Sequence, residues 1–70
     1  MPIYRKWLDV STDVTHYYKE VNGRNLHVNV DRLILNINER NYPDKLWTET
    51  TETEFMEAYR KVVSEMKAFF

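Results

Sequence analysis

Cysteine is absent from these 70 residues, glycine occurs once and proline twice. Without cysteine there are no disulfide staples and no zinc site of the Cys/His type, the devices on which small domains often depend. A chain this short hides only about 60% of the surface it exposes when unfolded, so it needs good packing or a partner, and self-association is expected. The scarcity of glycine, with 43% hydrophobic residues, excludes a disordered linker. An excess of charge is also missing. Ten basic residues stand against eleven acidic ones, which leaves no broad field to attract nucleic acid or an anionic membrane. No apolar run approaches the roughly 20 residues of a membrane span, and the opening residues lack the basic-then-apolar pattern of a secretory signal. The expectation is a single-domain, soluble, cytoplasmic protein.

What is present begins with the segment "YYKEVNGRNLHVNV". Asn22-Gly23 lies between two β-prone runs, and both residues tolerate the positive φ of a two-residue type I′ turn. That turn sets a register with Val21 opposite Arg24, Lys19 opposite Leu26 and Tyr17 opposite Val28. One face then carries Tyr17, Val21, Leu26, Val28 and Val30, and the other His16, Tyr18, Glu20, Asn25, His27 and Asn29. Beyond Val30 the apolar phase moves to Leu33, Leu35 and Ile37. A second tight turn at Asp31-Arg32 accounts for this by pairing Val30 with Leu33, Val28 with Leu35 and Leu26 with Ile37; since Asp-Arg is a poor type I′ pair, the alternative is a bulged turn or a bulge within one long strand. Helical spacing also fits Val30, Leu33, Ile34 and Ile37, but Asn36, Asn38 and the β-branched isoleucines favour a strand. At the start of the chain, Ser11-Thr12-Asp13 joins "IYRKWLDV" to the hairpin with Val10 opposite Val14, which places Ile3 and Trp7 on the apolar face. "NYPD" at 41–44 reads as a turn into a short strand near 45–49.

"LWTETTETEFMEAY" holds a helix start. Thr51 and Glu54 match the capping box, in which a threonine hydroxyl and a glutamate three residues later satisfy two orphan backbone donors. Phe55, Tyr59, Val62, Met66 and Phe69 then recur at helical spacing, opposite a polar face that contains the Glu57–Lys61 pair. The fold expected is α+β: an antiparallel β-meander of four strands, or five with the 45–49 segment, packed on one face by a single C-terminal helix near 52–69.

Catalytic and metal chemistry find little purchase. The carboxylates of Glu49, Glu52 and Glu54 lack the glycine-bearing loop of a calcium site, and capping explains them. His16 and His27 lie diagonally on the polar face, but two histidines without a third ligand do not make a metal site. The opening "MPI" is similar to that of the tautomerase superfamily, a resemblance that would imply Pro2 as a general base once Met1 is removed. It covers three residues, and that family follows its first strand with a helix where this chain reads as turn and hairpin. No catalytic residue, metal or cofactor is assigned.

The polar sheet face is the candidate binding surface. In the expected register it displays Tyr4, Lys6, Leu8, His16, Tyr18, His27, Asn29, Ile34, Asn36 and Asn38, with no second helix to cover it. Tyrosine, histidine and asparagine around isolated aliphatics resemble the centre of a protein interface. The binding set is taken as Tyr4, Leu8, His16, Tyr18, His27, Asn29, Ile34 and Asn36. The function expected is non-catalytic: a protein-binding module of adaptor or inhibitor type, acting through the open face or an edge and self-associating. Near-neutral chains of this size include accessory proteins of phages and mobile elements, an analogy of size and composition. The alternative is a single-stranded nucleic-acid binder that stacks bases on the tyrosines, against which stands the shortage of basic residues on that face.

Overall fold

The computed structural model describes residues 1–39 and 47–70. Strands β1 (Ile3–Asp9), β2 (Val14–Val21), β3 (Arg24–Asn29), β4 (Ile34–Glu39) and β5 (Thr48–Glu49) precede helix α1 (Glu52–Met66), and one turn of 3-10 helix, Lys67–Phe69, follows it. All pairings are antiparallel, and the sheet runs β4-β3-β2-β1-β5. The turn expected at 41–44, and the first part of the strand expected at 45–49, lie outside the described residues. Among the described residues no helix is long and apolar enough to cross a membrane.

The central hairpin has the register that Asn22-Gly23 dictates. Asn22 and Gly23 take φ of 52° and 78°, and Tyr17 pairs with Val28, Lys19 with Leu26 and Val21 with Arg24. Residues 34–39 are a strand, with Val28 opposite Leu35 and Leu26 opposite Ile37. The connection differs from the expected two-residue turn. The ladder stops at Asn29 and Ile34, and four residues bridge it, closed by Leu33 N–H donating to the Val30 carbonyl at 3.4 Å. Asn29 Oδ1 accepts from the Arg32 amide, and Leu33 takes a left-handed φ of 53°. Asp-Arg has neither the glycine nor the asparagine that a type I′ pair wants, and the longer loop confines positive φ to one position.

The first connection shows a larger departure. Asp9, not Val10, pairs with Val14, and Trp7 therefore faces His16 while Lys6 faces Tyr17. Asp9 caps the loop: its carboxylate accepts from both the amide and the hydroxyl of Ser11, and its carbonyl accepts from the Thr12 amide. Asp13 closes the loop at φ 56°, a conformation that aspartate tolerates better than most residues. The loop thus has four residues where three were expected. Because side chains alternate with a period of two, this slip of one residue turns all of β1 over.

Helix α1 begins at the expected N-cap, where Thr51 Oγ1 accepts from the Glu54 amide at 3.1 Å. The second half of the capping box is replaced. The Glu54 carboxylate turns to the sheet and accepts from Lys6 Nζ at 2.9 Å, Tyr17 Oη at 3.1 Å and Thr50 Oγ1 at 2.7 Å. These hydrogen bonds, from Thr50 first and then Lys6, hold its carboxyl below the usual glutamate range. The apolar stripe of the helix buries Phe55, Ala58 and Val62 on Val28, with Tyr4, Leu26, Val30, Leu33 and Leu35 around them. Phe55 and Val28 are sealed from solvent.

Two expectations follow. Thr51→Ala should lower stability by about 1 kcal/mol in a denaturant titration, since it strands one helix donor. Asp13→Val should cost roughly 1–2 kcal/mol for a β-branched residue in the left-handed region, while Asp13→Gly should be neutral or stabilising. Equal losses for the two Asp13 variants would show that the loop does not depend on this conformation.

Candidate functional site

The overturned β1 rewrites the polar face. Tyr4 and Leu8, expected there, lie on the helix side: the Tyr4 ring sits 5.5 Å from the Phe55 ring, and Leu8 shares its side of the strand. Lys6 goes with them, to Glu54. Ile3 and Trp7, expected against the helix, come to the opposite face, with Arg5 between them. The structure does bring His16, Tyr18, His27 and Asn29 together, and it places Ile34 and Asn36 beside them on β4.

Rings fill this face. Trp7 stacks on His16 with centroids 5.0 Å apart, Tyr18 stacks on His27 at 4.5 Å, and Trp47 meets Trp7 at 5.8 Å and Tyr18 edge-on at 4.2 Å. Arg5 and Glu20 form an ion pair across β1 and β2. Toward the interior the face is closed: Asn29 is fully buried and Asn25 is 1% exposed. Its centre is therefore a packed, half-buried aromatic layer, while Asn36 and Asn38 on β4 stay exposed. Trp7 and Trp47 were missed in the sequence. "DVSTD" carried the signal for Trp7, because an aspartate two residues before a serine favours an Asx turn, and that starts the loop at Val10.

The hydrogen bonds fix where the protons sit. Asn29 Oδ1 takes the Arg32 amide, so Asn29 Nδ2 is the atom that donates to His16 Nδ1, at 3.2 Å. His16 Nδ1 must then be an acceptor, and His27 Nε2, 2.9 Å away, donates to the same atom. Each imidazole is neutral, with its proton on Nε2. A second proton on His16 would confront two donors. Burial pushes the pKa of both histidines down. For His27, burial and then the nearby His16 push it down to about 4; for His16 the Arg32 charge adds to burial while Asp9 opposes it. Among the described residues no group of three or more His, Cys, Asp or Glu side chains is placed to hold a metal ion.

The two edges of the sheet are a different matter. In a two-residue hairpin the residues flanking the turn exchange both hydrogen bonds, and alternate residues then point their peptide groups to opposite sides. Counting from Val21–Arg24, residues Ile34, Asn36 and Asn38 bond to β3, and Leu35, Ile37 and Glu39 aim N–H and C=O outward from β4. The same count makes Tyr4, Lys6 and Leu8 the outward residues of β1. Thr50 N–H does meet the Tyr4 carbonyl, at 3.0 Å, and Thr48 pairs with Lys6. Among the described residues neither Leu8 nor β4 has a strand partner on its outer side.

A pH dependence follows from the histidines. Their pKa is lower in the fold than the ordinary 6.5, so the stability they contribute is complete above 6.5 and drains away as pH falls below it, for His27 toward about 4. Glu54 and Asp9, both shifted down from carboxylate values, lose their contributions only at lower pH. The thermal midpoint should fall between about pH 7 and pH 5, and His27→Phe, which keeps a ring on Tyr18, should flatten that dependence. A wild-type midpoint constant across this range would contradict the assignment of neutral imidazoles.

Compared with known proteins, the chain matches no family model, no curated protein and no solved structure.

Proposed function

We propose that this protein is a non-catalytic protein-binding module, of adaptor or inhibitor type, that works through the edges of its sheet. The observation that carries this reading is the pairing of outward peptide groups with exposed aliphatic side chains. Leu8 is 49% exposed and Val10 85% on the β1 side, and Ile37 is 67% exposed on β4. Beside Leu8 lies a shallow cavity of about 690 Å³ lined by Lys6, Val10, Thr15, Tyr17 and Thr48, among others. An extended segment laid along β1 would gain main-chain hydrogen bonds from Leu8 and an apolar seat for alternate side chains, which is the logic of strand addition.

The aromatic face supports this reading as a rigid floor. Nucleic-acid binding on that face has less behind it, since Tyr18 is stacked with His27 and packed by Trp47, and Arg5 is neutralised by Glu20.

Capture of a protein from a native lysate by the immobilised chain tests the proposal. Leu8→Glu with Val10→Glu, both at exposed positions, should keep the circular dichroism of the fold and weaken capture about tenfold or more, the effect of losing roughly 1.4 kcal/mol at an interface anchor. Undiminished capture by this variant would remove the β1 edge from the function.

A further inference from the structure

The β4 edge has a character of its own. Edge strands in stable monomers are usually blunted by an inward lysine, a proline, a bulge or brevity. β4 has none of these: "ILNINE" is six residues long, regularly paired along its inner side, and uncharged until Glu39. Its outward peptide groups belong to Leu35, Ile37 and Glu39, and the most exposed aliphatic side chain of the strand, Ile37, sits among them.

We infer that β4 pairs antiparallel with β4 of a second copy, in a register centred on Asn36. This rests on the reading that sheet edges are the binding surfaces of the protein, and it names the occupant of one of them. Self-pairing about a two-fold axis demands that the strand be its own complement. With Asn36 opposite its counterpart, Leu35 of each copy faces Ile37 of the other, and these are two of the residues whose peptide groups point outward. Both also lie on the helix side of the sheet, so the exposed Ile37 is covered by an aliphatic partner. On the opposite face Ile34 meets Asn38, and the two Asn36 amides, each able to donate and accept, come together at the axis. No charges of like sign are brought face to face within the described strand.

Neighbouring registers fit less well. Moving the axis one residue toward the end of the strand, to Ile37, sets Leu35 against Glu39. Moving it one residue the other way, to Leu35, sets the turn residue Asp31 against Glu39, two carboxylates together. In the favoured register Glu39 comes opposite Leu33, which is held at φ 53° outside the ladder, so the regular pairing runs from Ile34 to Asn38. The product is one continuous sheet with both helices on the same side, and it does not involve Leu8 or Val10 of either copy.

The absence of cysteine makes the test direct, because a single introduced thiol is unique in the chain. Asn36 and its counterpart form a pair without backbone hydrogen bonds between them, the kind in which side chains stand closest. Asn36→Cys should therefore give a covalent dimer under mild oxidation, and Asn38→Cys should give one far more slowly. Light scattering of the unmodified protein at high concentration should report twice the mass of one chain. Ile37→Lys, at an exposed position, should halve that mass while leaving the circular dichroism unchanged. A faster covalent dimer from Asn38→Cys would overturn the register. A wild-type chain that is monomeric at high concentration, or a dimer indifferent to Ile37→Lys, would overturn the pairing. Neither result touches capture at Leu8 and Val10, which decides the broader functional reading by itself.

Discussion

The register of β1 on β2 is the constraint from which the rest of this molecule follows. It is set by one loop, in which Asp9 caps Ser11 and Asp13 takes a positive φ. With that register, Lys6 reaches Glu54 and the first turn of the helix is tied to the sheet at Tyr17 and Lys6. Tyr4 is then in place to pack on Phe55, the largest of the sealed core side chains. On the other side, Trp7 lands on His16 and completes a ring layer with His27, Tyr18 and Trp47. Shifted by one residue, the same strand would turn Lys6 to the ring-bearing face of the sheet and leave Glu54 with only Tyr17 and Thr50.

The fold class was legible because each of its parts has a local cause. Asn22-Gly23 specifies its hairpin almost alone, and the change of apolar phase after Val30 can be satisfied by a strand that returns on the same face. Thr51, followed by apolar residues at helical spacing, specifies α1. The site was legible only in part. His16, Tyr18, His27 and Asn29 belong to the well-specified hairpin, and their shared face followed from it. Tyr4 and Leu8 depended on a loop whose length separates two opposite answers, and β1 has no strong alternation to arbitrate: "IYRKWLD" offers apolar residues in both phases. Trp47 joins the face through a two-residue strand too short for any periodicity to announce. The role of Glu54 was hidden for a related reason, since its partners come from the strand whose face was misjudged.

A small sheet with one helix has an asymmetric problem. The helix seals the middle of one face around Val28, and aromatic and imidazole rings pack the middle of the other. Both layers protect the centre, and neither protects the rim. The large aliphatic side chains left in water, Ile3, Leu8, Val10, Val21 and Ile37, lie toward strand ends or on outer strands. For a chain without cysteine, further burial at these margins is a natural source of the stability that a core of this size supplies only sparingly.

The orientation of β1 can be read directly from short proton–proton distances in solution. Two-dimensional nuclear Overhauser spectra should connect the ring protons of Tyr4 with those of Phe55, and the Trp7 indole with the His16 imidazole. Contacts between Trp7 and Phe55, with Leu8 near His16 instead, would contradict the register and with it the arrangement of both faces.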